Sequence, residues 1–243
     1  MRTRRYRPVA RPGPASERMQ GMTERETPSP DGLVIAILGG TGEQGRGLAR
    51  RFAMVGHPVI IGSRNHDRAR AVAREIGHGV RGLPNRGAAR EAGLVIAAVP
   101  WEGHAGLLSG LAPELAGKIV VDCVNPLGFD ARGAYPLPVP EGSAAQQAAA
   151  LLPHSRVVAA FHHVSAVLLL DPDVADLGQD VLVLGDDRDA TDLVQALAAR
   201  IPGVRGVYAG RLRNAGQIEG LTANLVSINR RYKAHAGLRI SDI

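Results

Sequence analysis

The chain has 243 residues, 45% of them hydrophobic, enough to bury the core of one large domain or one and a half. Its formal charge of +6 gathers at the start, where Arg2, Arg4, Arg5, Arg7, Arg11 and Arg18 stand among the first 21 residues, so the remainder is close to neutral. Aromatic residues at 3% leave little for bases to stack on and no stretch approaches a membrane span, which excludes nucleic-acid and membrane partners.

Residues 1–32 are rich in Arg, Pro, Ser, Gly and Glu, lack apolar periodicity and read as a flexible basic arm. No apolar run of signal-peptide length follows the basic start, and Met19 and Met22 offer later starts for the chain. From Leu33 to Leu38 every residue is apolar, the pattern of a strand covered on both faces. A glycine turn follows, Gly39-Gly40-Thr41-Gly42-Glu43-Gln44-Gly45, and then a helix over 43–56. A strand before the frame Gly40-x-Gly42-x-x-Gly45 and a helix after it make a dinucleotide site. In that frame Gly40 permits the tight turn, Gly42 lets the backbone approach a pyrophosphate, and Gly45 lets helix and strand pack closely.

The second strand, Pro58–Gly62, ends in Gly62-Ser63-Arg64, with Arg68 four residues on. An NAD site would place a carboxylate here, against the ribose 2′-hydroxyl. A hydroxyl and two guanidiniums suit a 2′-phosphate instead, so the expected cofactor is NADP.

Helix 66–77, a short strand Val80–Leu83, strand Leu94–Val99, helix 103–115, strand Lys118–Val121, helix 143–152, strands Arg156–Phe161 and Val181–Gly185, helix 189–200 and a last helix over 213–236 complete the alternation. It predicts an α/β fold: a doubly wound parallel Rossmann sheet over 33–165, then a small C-terminal α/β extension over 166–243. Residues 125–142, rich in Pro and Gly, read as a long functional loop at the carboxyl edge of the sheet. Ile218, Leu221, Leu225 and Ile228 make one apolar stripe on the last helix, suited to core or to a subunit interface. The single cysteine, Cys123, closes a strand, allows no internal disulfide and fits a reducing, cytoplasmic setting.

Val99-Pro100-Trp101-Glu102, Asn125-Pro126-Leu127 and Phe161-His162-His163-Val164-Ser165-Ala166 leave the strands where a nicotinamide would lie. Adjacent histidines in a strand point to opposite faces and no ligand cluster accompanies His162-His163, so no metal is expected; one imidazole could shuttle a proton. No Tyr-x-x-x-Lys pair or Lys-plus-acid couple is found. Such a site aligns two rings for hydride transfer rather than protonating a keto group.

Those segments, with Gly185-Asp186-Asp187, resemble in order and spacing the NADPH-dependent reductases of coenzyme F420. The resemblance runs from about residue 33 to the C-terminus. It is nearest to the actinobacterial branch, with His162-His163-Val164-Ser165 in place of the archaeal His-Thr-Ile-Pro. It implies an oxidoreductase passing hydride reversibly between NADP(H) and coenzyme F420, with reduction of the deazaflavin favoured in the cell. By the same resemblance Gly40, Thr41, Gly42, Glu43, Gln44, Gly45, Ser63, Arg64 and Arg68 would hold NADP, with Trp101, Leu127 and Ala166 beside the nicotinamide half. His163 and Val164 would set the stacking distance between the two rings, and residues 166–243 would contribute to the deazaflavin site and to a homodimer interface. Arg205, Arg211 and Arg213 are candidates, from charge alone, for the acidic lactyl-glutamyl tail of the deazaflavin. Two other readings stay open: an imine reductase of the pyrroline-carboxylate type, and an NADP-sensing protein without turnover.

Overall fold

The computed structural model describes residues 29–243; most of the arm expected over 1–32 lies outside the described residues. In chain order these residues form β1 (Ile35–Leu38), α1 (Glu43–Met54), β2 (Val59–Ser63), α2 (His66–Ile76), β3 (Arg81–Pro84), α3 (Asn85–Glu91) and β4 (Leu94–Ala97). Then come α4 (Trp101–Gly110), α5 (Ala112–Leu115), β5 (Ile119–Asp122), β6 (Leu127–Asp130), β7 (Gly133–Pro136), α6 (Ala144–Leu151) and β8 (Arg156–Ala159). The chain finishes with α7 (Ala166–Leu170), β9 (Gln179–Gly185), α8 (Arg188–Ala198), β10 (Val204–Gly210) and α9 (Ala215–Tyr232).

Eight strands make one sheet in the order β10-β9-β8-β5-β4-β1-β2-β3. From β3 to β8 all pairs are parallel, whereas β9 joins β8 antiparallel and β10 follows β9 in parallel. Counted without the hairpin β6-β7, the parallel part has the doubly wound Rossmann order, in which the winding reverses between β1 and β4. Residues alternate between two cores: Ile35 and Ile37 face α1, α2 and α8, while Ala36 and Leu38 face α3, α4 and α6. Burial on both sides is why β1 carries no polar residue. Ile35, Val59 and Leu94 lie in register, so the turns leaving β1, β2, β4, β5 and β8 emerge from one edge.

The structure departs from the sequence expectations in several places. The long loop expected at 125–142 contains an antiparallel hairpin, with Leu127 opposite Pro136 and the turn at Asp130–Gly133. Asp130 Oδ1 accepts the N–H groups of Arg132 and Gly133 and closes that turn. Strand β10 falls outside the expected strands because Arg205 and Gly206 interrupt its apolar run. Gly206 is there for packing, since a Cβ on it would stand 2.4 Å from Cα of Gln195 on α8. The sheet also continues through the boundary expected at residue 165, because β9 and β10, in the segment 166–243, are hydrogen-bonded onto β8. No described helix is long and apolar enough to cross a membrane.

Candidate active site

At the β1/β4 reversal a cleft of about 550 Å³ opens, lined by Gly39, Thr41, Gly42, Ser63, Arg64 and Arg68, and across from them by Ala98, Val99, Pro100 and Glu102. The left-handed residue of the turn is Gly39, at φ 74°, and a Cβ there would sit 2.5 Å from the carbonyl oxygen of Ala98. Gly45 fulfils the close-packing role expected of it, a Cβ falling 2.6 Å from Cα of Gly40. Gly42 is the N-cap of α1 and provides no side-chain cap, so the first N–H groups of that helix face the cleft mouth. Thr41 is half-buried, while Glu43 is exposed in the first turn of α1. Gln44 does something other than line the cleft: its amide donates to the carbonyl of Phe161 at 3.2 Å, tying the glycine turn to the segment after β8.

The far end of the cleft is a phosphate site in its chemistry. Ser63 is buried and its Oγ accepts the N–H of Asn65 at 3.1 Å, which leaves the hydroxyl hydrogen free to donate. Asn65 caps α2, its Oδ1 accepting the N–H of Arg68 at 2.9 Å. The positive end of α2 therefore converges with the exposed guanidiniums of Arg64 and Arg68. Asn65 and Asn85 line this cleft too, and reading the sequence for glycines and arginines passed over them; Glu102, also in the lining, belongs to the Val99–Glu102 segment expected at the ligand edge. Asn85 Oδ1 is buried without a hydrogen-bond partner among the described residues, an acceptor open to a ligand donor.

Two of the ligand-edge segments are pinned from below by a buried polar cluster. Trp101 opens α4 half-buried, with its ring 5.5 Å from that of His104. His104 and Asp122 are both fully buried, with Nε2 2.5 Å from Oδ2, and the other ring nitrogen lies 3.1 Å from Gln147 Oε1. Burial works against a charged ring, but the bond to Asp122 and its charge prevail and raise the pKa of His104. Asp122 Oδ1 also accepts the N–H of Val124 at 3.0 Å. Thus α4 and the segment that leads to Leu127 share one anchor. Glu219 of α9 is buried beside it and accepts the N–H groups of Ala144 and Ala145 at the start of α6, at 2.8 and 3.1 Å. Burial pushes the pKa of Glu219 up to about 7. Cys123 is buried, and its thiol, 3.0 Å from the carbonyl oxygen of Ala97, is pushed up by burial.

The segment after β8 is arranged differently from the expectation for His163 and Val164. Phe161 is buried in the left-handed region at φ 63° and breaks the strand alternation. His163 turns inward and its Nε2 accepts the N–H of Leu182 on β9 at 3.3 Å. Val164 joins the core beneath the sheet. Neither side chain reaches the surface where a ring could stack. His162 is buried as well, with no partner for either ring nitrogen among the described residues. Burial holds the pKa of both imidazoles near 4, so both are neutral at pH 7. What the segment presents outward is backbone: the His162 carbonyl accepts from Asn125 Nδ2 at 2.8 Å and from Thr222 Oγ1 at 3.3 Å. Ala166, half-buried, begins α7, and Leu127, half-buried, begins the hairpin.

Of the three arginines considered for an acidic tail, Arg205 is already engaged. It grips Asp180 with two bonds of 2.7 Å and the carbonyls of Ile240 and Ile243, which docks the C-terminus on β10. Arg211 donates to the carbonyl of Asp186 at 2.8 Å, at the end of antiparallel β9, which runs toward the opposite edge from the cleft.

The family model "NADP oxidoreductase coenzyme F420-dependent" matches residues 34–126. The F420-dependent NADP reductase of Methanothermobacter marburgensis is 38% identical over 223 residues, covering 87% of this chain and 99% of its own. That of Methanocaldococcus jannaschii is 38% identical over 224 residues with the same coverage. A crystal structure from Arthrobacter sp. FB24, assigned as an F420-dependent NADP-reductase, superposes with a TM-score of 0.77 at 28% identity, over 87% of this chain and 100% of that one.

Proposed function

With the premise that this chain belongs to the coenzyme F420-dependent NADP oxidoreductase family, we propose that its edge of loops aligns NADP(H) with a deazaflavin for direct hydride transfer. The protein is an NADP:coenzyme F420 oxidoreductase. In the direction we assign to the cell, NADPH and a proton convert oxidised F420 to its reduced form and leave NADP⁺. One hydride moves from the nicotinamide to the deazaflavin ring, and solvent supplies the proton.

The observation that carries the NADP assignment is the convergence of Ser63, Arg64, Arg68 and the α2 N-terminus at one end of the cleft. These groups bind the 2′-phosphate. Gly40, Thr41, Gly42, Glu43 and Gly45 form the turn that receives the pyrophosphate, and Gln44 holds that turn to Phe161. Trp101, Leu127 and Ala166 flank the nicotinamide half, each on a segment leaving the same sheet edge. His163 and Val164 act from beneath: anchored to β9 and to the core, they set the height of the backbone above which the two rings meet. The neutral state of both histidines agrees with a site that aligns rather than protonates.

The assembly we propose is a homodimer in which α9 takes part. Ile228 and Tyr232 stand 40% and 73% exposed on it, a turn apart and on one face. The lone buried Cys123 fits a cytoplasmic protein. The test is to mix the purified protein with NADPH and oxidised F420 and follow loss of the deazaflavin's visible absorbance, with NADH in parallel. Turnover with NADPH and little with NADH is the expected result. Equal use of both nucleotides would refute the role given to Ser63 and Arg64, and a monomer by light scattering would remove the dimer.

A further inference from the structure

A second concavity, of about 630 Å³, lies between the hairpin and the last two turns of α9, with Phe129 and Arg132 on one wall and Val226, Arg230 and Arg231 on the other. Resting on the function proposed above, we propose that this groove receives the acidic lactyl-glutamyl tail of the deazaflavin.

The groove starts where the ring site ends. Thr222 bonds the His162 carbonyl beside Asn125, and Val226 and Arg230 follow on the same face of α9 at intervals of four residues. At 1.5 Å per residue, Arg230 stands about 12 Å further out than Thr222. The opposite wall makes the same progression, from Leu127 at the ligand edge to Phe129 and then Arg132 at the hairpin turn. A chain leaving the ring site and following these walls passes an apolar stretch and then meets cations.

The side chains on both walls are exposed and largely unengaged within the chain. Phe129 is 69% exposed, a large apolar group left outside both cores. Arg230 and Arg231 have no ion-pair partner among the described residues. Asp130 is the one carboxylate in the groove lining, 3.5 Å from Arg132, and it is spent on the hairpin turn. Three guanidiniums against one carboxylate leave a surplus of two positive charges, the complement of a phosphodiester followed by glutamyl carboxylates. The groove replaces Arg205, which the C-terminus occupies, as the cationic part of the site.

The test compares F420 with a tail-less deazaflavin of the same ring, using the double substitution Arg230→Ser with Arg231→Ser and, on the other wall, Arg132→Ser. For the double variant kcat/KM with F420 should fall about five- to thirtyfold through KM, the size of two exposed charge pairs; for Arg132→Ser, which removes one, the fall should be about three- to fivefold, and the dependence on NaCl should flatten in both. With the tail-less substrate the loss should stay under about twofold. Equal losses on both substrates, no loss on F420, or a change in oligomeric state by light scattering would each overturn the assignment. If the unaltered protein turned over neither deazaflavin, the proposed function itself would fall, and the tail site with it.

Discussion

The most demanding expectation concerns Arg51, which sits on α1 and never touches the cleft. Its side chain is 3% exposed and its guanidinium donates to four carbonyls: Leu168 at 2.6 Å, Val174 at 2.7 Å, Leu169 at 2.9 Å and Asp171 at 3.1 Å. These belong to the end of α7 and the coil after it, where the negative end of a short helix needs a cation and the last carbonyls need donors. Burial lowers the pKa of Arg51 from its ordinary value, and a guanidinium keeps its charge in proteins. Each such bond gives a net of about 1.5–3 kcal/mol, against which the burial of the charge must be set. Arg51→Met, which keeps the stem and removes the fork, should therefore cost about 3–5 kcal/mol, the range for breaking a buried charged network. Arg51→Lys retains the charge but has three donors on one nitrogen and should cost about half as much. In urea, with a slope of about 2–3 kcal/mol per molar for a chain of this size, Arg51→Met moves the midpoint down by about 1.5 M. Hydrogen exchange should speed up in residues 162–174 before the rest of the sheet responds. A change below about 1 kcal/mol would refute the reasoning, because four unpaired carbonyls could not then be the consequence.

Other expectations are local. Arg64→Ala should lower kcat/KM for NADPH about 10- to 100-fold, the value of a charge-assisted phosphate contact, and leave NADH within about twofold; equal loss on both would refute the 2′-phosphate role. Gly39→Ala puts a methyl 2.5 Å from the Ala98 oxygen at a left-handed φ of 74° and should cost about 2–4 kcal/mol, seen as a fall in Tm and weaker NADP binding. Acid should destabilise the fold through His162 and His163. With folded pKa values near 4 and an unfolded value of about 6.5, the unfolded chain binds more protons between those limits. Stability therefore declines as pH falls from about 6.5 to 4, by on the order of 3 kcal/mol for each ring. His163→Gln, with an amide oxygen for the Leu182 N–H, should remove about half of that slope in denaturation at pH 7 and pH 5, and an unchanged slope would contradict it. Glu219, raised to about 7, has the opposite sign: its contribution is present at low pH and is lost as pH rises through 7, so Glu219→Gln should flatten the curve there.

The nucleotide half of the site was legible because its chemistry is local. The parts we assign to the nucleotide, glycines at fixed spacing after an apolar strand and then Ser63, Arg64 and Arg68, lie within about thirty residues of one another. The cleft gathers Thr41, Gly42, Ser63, Arg64 and Arg68 as expected. The second half was less legible. In the sequence His163 and Val164 look like pocket residues because they follow a strand, but the left-handed turn at Phe161 sends both side chains inward. Asn125 and Thr222, 97 residues apart, meet on one carbonyl, and no periodicity announces that. His104 and Asp122 carry a signal visible afterwards: two polar residues at apolar positions of α4 and β5.

Sequence by itself determined the α/β class, the winding of the parallel strands and the NADP preference, because hydrophobic period, glycine geometry and charge at a strand end act over a few residues. Only the tertiary structure decided that β9 and β10 extend the same sheet, that a hairpin occupies the Pro/Gly-rich stretch, that Arg205 is spent on the C-terminus, and that Arg51, His104 and Glu219 hold the loops in place. Those outcomes depend on which distant groups satisfy buried donors and acceptors. That accounting closes only when the whole chain is packed.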